Sequence, residues 1–198
     1  MSGRIFAPFR VGPFAILPEE TPCPVDGAIP IYLGRKGAFG SGDHETTVSC
    51  LEFLARLPSL ANASVLDLGS GTGILAIAAL RLGATMAAAV DIAWGASESC
   101  AQNARLNGVA ERLLPICGEL AAVRPQQFDL LLANIYADLH LALAESMVAL
   151  VRPRGHLLLS GIPLQDKFDI QRCFAGKGCS LLDMEILEDF TTFLFRKD

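Results

Sequence analysis

Gly69, Gly71 and Gly73 occupy alternate positions in VLDLGSGTGILAIAAL, between an apolar run that closes on Asp67 and Leu68 and a stretch with the spacing of an amphipathic helix. Glycines set this way let a ligand approach the backbone closely and let a helix start tight against a sheet. The dinucleotide fingerprint GxGxxG is not met, because its third glycine would fall at Ile74, and no Walker lysine follows the loop. Asp67 then decides the chemistry. A carboxylate ahead of the loop repels phosphate and suits a ligand carrying an amino group and a sulfonium cation, which describes S-adenosylmethionine, with S-adenosylhomocysteine as its demethylated product. The plainer reading of the same residues is a tight strand-to-helix turn.

Asp91 closes the next apolar run, AAAVDIAW, 24 positions after Asp67. An acid at such a strand end can accept two hydrogen bonds from vicinal ribose hydroxyls, and can also cap the following helix, two uses that do not exclude each other. Ile92 and Trp94 either pack on the faces of an adenine or belong to the core. Gly118 and Glu119 follow the third strand and either meet the adenine amino group or lie on the surface. The run FDLLLANIYADL ends in Asn134 and Tyr136, at the carboxyl edge of the strands, where open α/β sheets place their ligands. An asparagine oxygen, with a backbone carbonyl beside it, can accept hydrogen bonds from an attacking amine and hold its lone pair in line with a sulfonium methyl. Asn134 has a competing use as a helix cap, and Tyr136 as a packing residue.

A fifth segment, KGAFGSGDHETT, brings Phe39, Gly40, Gly42, His44, Thr46 and Thr47 ahead of a helix. Its hydroxyls and amides suit the amino acid end of a ligand, and equally a capped helix start. His44 is a candidate proton acceptor or a capping residue. His140 and His156 read as structural.

These residues need a frame. The spacing of Val48, Leu51, Phe53, Leu54 and Leu57 predicts a helix from Thr46 to Pro58. After it the pattern alternates: strand 64–68, helix 74–82, strand 86–92, helix 96–107, strands near 114–117 and at 128–133, helix 139–151, strand 155–160. Strands that read as continuous apolar runs belong to a parallel sheet covered on both faces, so the fold class is a doubly wound α/β sheet. The segments 181–186 and 191–195 are joined too briefly for a crossover helix and predict an antiparallel hairpin. Before residue 40 the chain is rich in Pro and Gly, with candidate strands at 14–17 and 28–33, and reads as an arm (1–40) to one domain (41–198).

The 198 residues are 52% hydrophobic and 19% charged, enough for one large core and too apolar for disorder. Arg81, Gly83, His140 and Glu145 interrupt the apolar runs before any reaches the roughly 18–20 residues of a membrane span. Pro8 and Pro13 break the start where a signal peptide needs a continuous apolar stretch, so a cytoplasmic protein is expected. A net charge of −5 with no basic run disfavours binding to nucleic acid. The six cysteines, Cys23, Cys50, Cys100, Cys117, Cys173 and Cys179, form no CxxC pair and lack nearby histidines, so neither a metal site nor a redox motif is expected.

The set AFGSGDHETT, VLDLGSGTGILAIAALRLGA, VDI, AQNARLNG, LLANIYADL and LLLSGI, in this order over roughly residues 5–198, closely resembles the methyltransferases that modify the eleventh protein of the large ribosomal subunit, the PrmA family. The resemblance implies a class I S-adenosylmethionine-dependent methyltransferase, with a seven-stranded sheet whose last strand is reversed. It places Phe39, Gly40 and Thr46 or Thr47 around the cofactor, Asp67 to Gly73 at its methionine and ribose parts, Asp91 at the ribose and Asn134 beside the transferred methyl. Ala93 and Trp94 stand where the family usually has an aspartate and a proline, and EDFTTFLFRK lacks a Gly-Trp pair often found there. Members of the family also carry an N-terminal domain that grips the ribosomal protein, and the resemblance begins near the linker that follows it. The expected activity is methyl transfer to a protein amine, lysine or α-amine, by direct displacement. The rival expectations are a small-molecule methyltransferase of the same fold and a cofactor-binding scaffold without catalysis.

Overall fold

The computed structural model describes residues 6–19, 21–22, 27–34, 43–123 and 127–198. Phe39, Gly40, Gly42 and Cys23 lie outside the described residues. The main sheet has seven strands: β4 (Ser64–Leu68), β5 (Met86–Asp91), β6 (Leu113–Cys117), β7 (Phe128–Asn134), β8 (Val151–Pro163), β9 (Cys179–Ile186) and β10 (Phe190–Lys197). Their order across the sheet is β6-β5-β4-β7-β8-β10-β9. β4 pairs in parallel with β5 and β7, β5 with β6, and β7 with β8, whereas β10 runs antiparallel to both β8 and β9. The expected hairpin is therefore present, and its second arm is inserted between β8 and β9.

Among the described residues five α-helices cover the sheet: α1 (Glu45–Arg56), α2 (Ile74–Arg81), α3 (Trp94–Leu106), α4 (Ala137–Leu150) and α5 (Lys167–Ala175). Every residue of α2 from Ile74 to Leu80 is buried. A helix apolar on all sides has no solvent face to offer and is held on all sides by packing. One core, around Val65, Leu130, Leu132 and Leu158, lies on the α1 and α2 face of the sheet; the other, around Leu131, Leu157, Phe193 and Phe195, lies on the α4 and α5 face. Adjacent residues on β4, β5, β7, β8 and β10 alternate between the two, as the two-residue period of a strand requires.

The N-terminal arm forms a separate three-stranded sheet of β1 (Phe9–Val11), β2 (Phe14–Pro18) and β3 (Ile29–Leu33), with β1 antiparallel and β3 parallel to β2. Phe14, Ile16, Ile31 and Leu33 enter the same core as Leu51, Phe53 and Leu54 of α1. Each such side chain contributes about 1.5–3 kcal/mol through burial, so this sheet shares its stability with the domain. Asn103 of α3 and Asn107, the residue that caps the end of that helix, splice it on. Asn107 Oδ1 accepts from Tyr32 N at 2.9 Å and its Nδ2 donates to Tyr32 O at 2.7 Å, imitating a neighbouring strand.

Among the described residues no helix is long and apolar enough to cross a membrane, and no three His, Cys, Asp or Glu side chains gather as metal ligands would.

Candidate functional site

The carboxyl ends of β4, β5 and β7 meet at one edge of the sheet. The glycine loop leaves β4 with φ of 72° at Gly69, 53° at Gly71 and 77° at Gly73, a left-handed path open to glycine and costly for other residues. Gly69 N and Ser70 N donate to Val90 O at 2.8 and 3.1 Å, tying the loop to β5. A Cβ on Gly69 would lie 2.4 Å from Ile135 Cγ2, and one on Gly73 would lie 2.5 Å from Cys100 Sγ. These two glycines thus serve close packing, of the loop on the end of β7 and of α2 on α3.

Asp67 is 1% exposed, beneath the loop, and its Oδ2 accepts from Ala76 N at 3.1 Å in the first turn of α2. Burial pushes its carboxyl up to about 7; the Ala76 bond opposes this and the Asp91 charge adds to it. Asp91 binds both ends of its neighbourhood: Oδ2 accepts from Gly71 N and Oδ1 from Ala93 N, each at 2.9 Å. It does not cap α3, which starts at Trp94 with Ala93 as the cap residue and no side-chain bond.

Beside the loop lies a cavity of about 400 Å³ whose walls include Val90, Asp91, Ile92, Gly118, Leu120 and Ile135. Mostly apolar walls with a carboxylate at one end suit a flat ring joined to a ribose. Ile92 lines it, Glu119 stands at its rim, and Leu139 closes the α4 side. Trp94 faces elsewhere, onto a wider groove along α3 with Gln102, Arg105 and Cys117. Tyr136 is 76% exposed at the start of α4 and is not among the cavity walls.

Asn134, the last residue of β7, turns its amide toward α1. Its Nδ2 donates to Thr46 Oγ1 at 3.1 Å and to Thr47 Oγ1 at 3.3 Å, and both threonines are buried. It does not cap α4, whose cap residue is Tyr136. His44 caps α1 through Nδ1, as the plainer reading of its segment expects. Below Asn134 the backbone is braced from β8. Ile135 N donates to Ser160 O at 3.2 Å, and Nε2 of the fully buried His140 donates to the same carbonyl at 2.9 Å. Burial brings the His140 imidazole down to about 4, so it is neutral near pH 7. Gly161, at φ 76°, lets Asn134 Oδ1 and Ile135 O crowd its α-carbon: a Cβ there would lie 3.0 and 2.5 Å from them.

Several residues that shape this site carry no sequence signal of their own. Ile135 and Gly161 act through contacts between strands distant in the chain. Asn103 joins the arm to the loop: its Oδ1 accepts from Gly34 N and its Nδ2 donates to Thr72 O, both at 2.8 Å. Its spacing of four from Asn107, inside AQNARLNG, is the one feature that could have suggested it.

A seven-stranded sheet in this order with β10 reversed, a glycine loop between β4 and α2, and acids at the ends of β4 and β5 define the fold of the S-adenosylmethionine-dependent methyltransferases. Within that class, the family model described as ribosomal protein L11 methyltransferase (PrmA) matches residues 2–198, and the chain belongs to this family. It is 42% identical over 178 residues to the ribosomal protein L11 methyltransferase of Xylella fastidiosa and 40% identical over 173 residues to that of Azotobacter vinelandii. Each alignment covers 86% of this chain and 58% of the relative, so the chain spans a little over half the length of these curated relatives. The solved ribosomal protein L11 methylase of Lactobacillus delbrueckii superposes with a TM-score of 0.86 at 29% identity, over 98% of this chain and 100% of that one.

Proposed function

We propose that the chain is an S-adenosylmethionine-dependent protein N-methyltransferase whose acceptor is an amine of ribosomal protein L11, the substrate named for its relatives. The observation that carries this reading is the pair of carbonyl oxygens, Asn134 Oδ1 and Ile135 O, which stand side by side at the carboxyl end of β7, both packed against Gly161. Two acceptors side by side match the two N–H groups of a neutral primary amine, leaving its lone pair free to attack.

The cavity walls fit the cofactor. Asp91 would hold the ribose, Ile92 and Leu120 the adenine, and the loop from Gly69 to Gly73 the methionine part, with Asp67 buried below it. Glu119, Phe39, Gly40, Thr46 and Thr47 complete the proposed cofactor set. Bound there, the cofactor supplies an electrophilic methyl on sulfur. Asn134 and the Ile135 carbonyl orient the amine, and the apolar walls exclude water. A free lysine, with a pKa of about 10.4, costs roughly 4–5 kcal/mol to deprotonate near pH 7, so a site that desolvates the amine lowers the barrier directly. Residues 1–40 act on this reading as an arm that buttresses the domain of residues 41–198.

Calorimetric titration with S-adenosylmethionine and S-adenosylhomocysteine, with NAD as control, tests the cofactor. Transfer of tritiated methyl to purified ribosomal protein L11 tests the acceptor. Micromolar binding of the first two alone, followed by labelling of the protein, is expected. Absence of binding removes the cofactor assignment, and binding without labelling removes the acceptor.

A further inference from the structure

The Asn134 amide can be useful only one way round, with its oxygen toward the amine, and what fixes that orientation is visible two residues beyond it. Nδ1 of His44 lies 3.4 Å from the backbone nitrogen of Thr46 and 2.8 Å from Thr46 Oγ1. A backbone N–H only donates, so this ring nitrogen is an acceptor and carries no proton. The Thr46 hydroxyl must then give its single hydrogen to His44. On its remaining side Thr46 Oγ1 presents lone pairs, and there Asn134 stands at 3.1 Å. Only the NH₂ end of the amide can face a lone pair. Reversing the amide would set its oxygen against Thr46, two acceptors without a hydrogen between them.

The imidazole is itself held. Its ring meets Phe190 edge-on with centroids 5.5 Å apart, and Glu188 N of the β9–β10 turn donates to Glu45 Oε2 at 3.2 Å, binding that turn to the start of α1.

We propose that His44 and Thr46 are positioning residues forming a relay, His44 Nδ1 to Thr46 hydroxyl to Asn134 amide, which locks the Asn134 oxygen toward the acceptor amine. The proposal rests on the reading of Asn134 as the residue that orients the amine. It gives His44 a task other than that of a general base: the nitrogen facing the site is already committed to the Thr46 hydrogen bonds. It also gives the Thr46 hydroxyl a use in addition to the cofactor contact proposed for this residue.

Thr46→Val keeps the shape of the side chain and removes the relay's middle link, and His44→Ala removes its origin. Each is expected to lower kcat for methyl transfer to ribosomal protein L11 about tenfold, and His44→Ala, whose residue lies outside the proposed cofactor set, is expected to keep the dissociation constant for S-adenosylhomocysteine within about twofold. The double variant is expected to be no slower than Thr46→Val alone, since the two changes break one chain. Hydrogen exchange of the Asn134 side-chain amide, followed by NMR, gives a readout independent of turnover: exchange at least about tenfold faster in Thr46→Val than in the wild type is expected. Wild-type kcat in both single variants alongside a slow Asn134→Ala overturns the relay and spares the role of Asn134. Losses that multiply in the double variant, or unchanged amide exchange, also overturn it. Wild-type turnover in Asn134→Ala removes the reading beneath it.

Discussion

The α-carbon of Gly161 and the carbonyl oxygen of Ile135 are so close that a methyl group on the glycine would lie 2.5 Å from that oxygen. The contact joins β8 to the turn that follows β7, and it fixes where two acceptor oxygens stand. With φ at 76°, the position is also one that an L side chain adopts only under strain. Gly161→Ala is expected to cost about 1–3 kcal/mol in urea unfolding and to lower kcat as the Asn134 turn is displaced. Unchanged turnover in a destabilised Gly161→Ala protein shows that the turn's position does not govern transfer.

Asn134→Ala leaves the cavity walls intact and, on the proposed function, removes one acceptor for the amine. Turnover is expected to fall about 100-fold, with S-adenosylmethionine affinity changing by less than about threefold. Equal losses in both, by single-turnover kinetics and titration, mark Asn134 as a cofactor or structural residue.

Asp91→Ala deprives Gly71 and Ala93 of a shared acceptor and, on the proposed function, a bound ribose of its partner. The dissociation constant for S-adenosylhomocysteine is expected to rise about tenfold or more by calorimetry. An unaltered constant removes the ribose assignment.

Asn103 is buried, and its amide spans Gly34 and Thr72. Asn103→Ala abandons a donor and an acceptor inside the protein, at an expected cost of about 1–3 kcal/mol. Hydrogen exchange at Gly34 is expected to accelerate with it; native protection there shows that the arm is held without the Asn103 bonds.

His140 sets a pH dependence. Its imidazole titrates near 6.5 when unfolded and near 4 when folded, so unfolding takes up a proton anywhere between these values. The folded state therefore keeps its stability above about pH 6.5 and loses it as pH falls toward 4. Between pH 7 and pH 5 the wild type is expected to lose about 2 kcal/mol more than His140→Gln in denaturant titrations. Parallel curves for the two proteins contradict a neutral, buried His140.

The parts of the site that were legible in the sequence are those encoded locally. The glycines between an apolar strand and a helix, Asp91 and Asn134 at strand ends, and the hairpin of β9 and β10 all show themselves within a dozen residues. β1, with three residues, is too short to carry a period, and α5 declares itself only through Ile170 and Phe174, its two buried residues. The start of α3 at Trp94, two residues before the expected Ala96, follows from Asp91 holding Ala93 N in an extended turn. The partners of Gly69, Gly161 and Asn134 arise from packing between distant segments, which composition and spacing do not encode.

The placement of β10 bears on how such a chain is made. It is the last strand in sequence, yet it fills the gap between β8 and β9 and supplies Phe193 and Phe195 to the core. During synthesis β9 therefore has no sheet neighbour until residues 190–197 have left the ribosome. Until then the nascent chain exposes the open edge of β8 and the apolar seat of two phenylalanines, a surface that invites chaperones and aggregation.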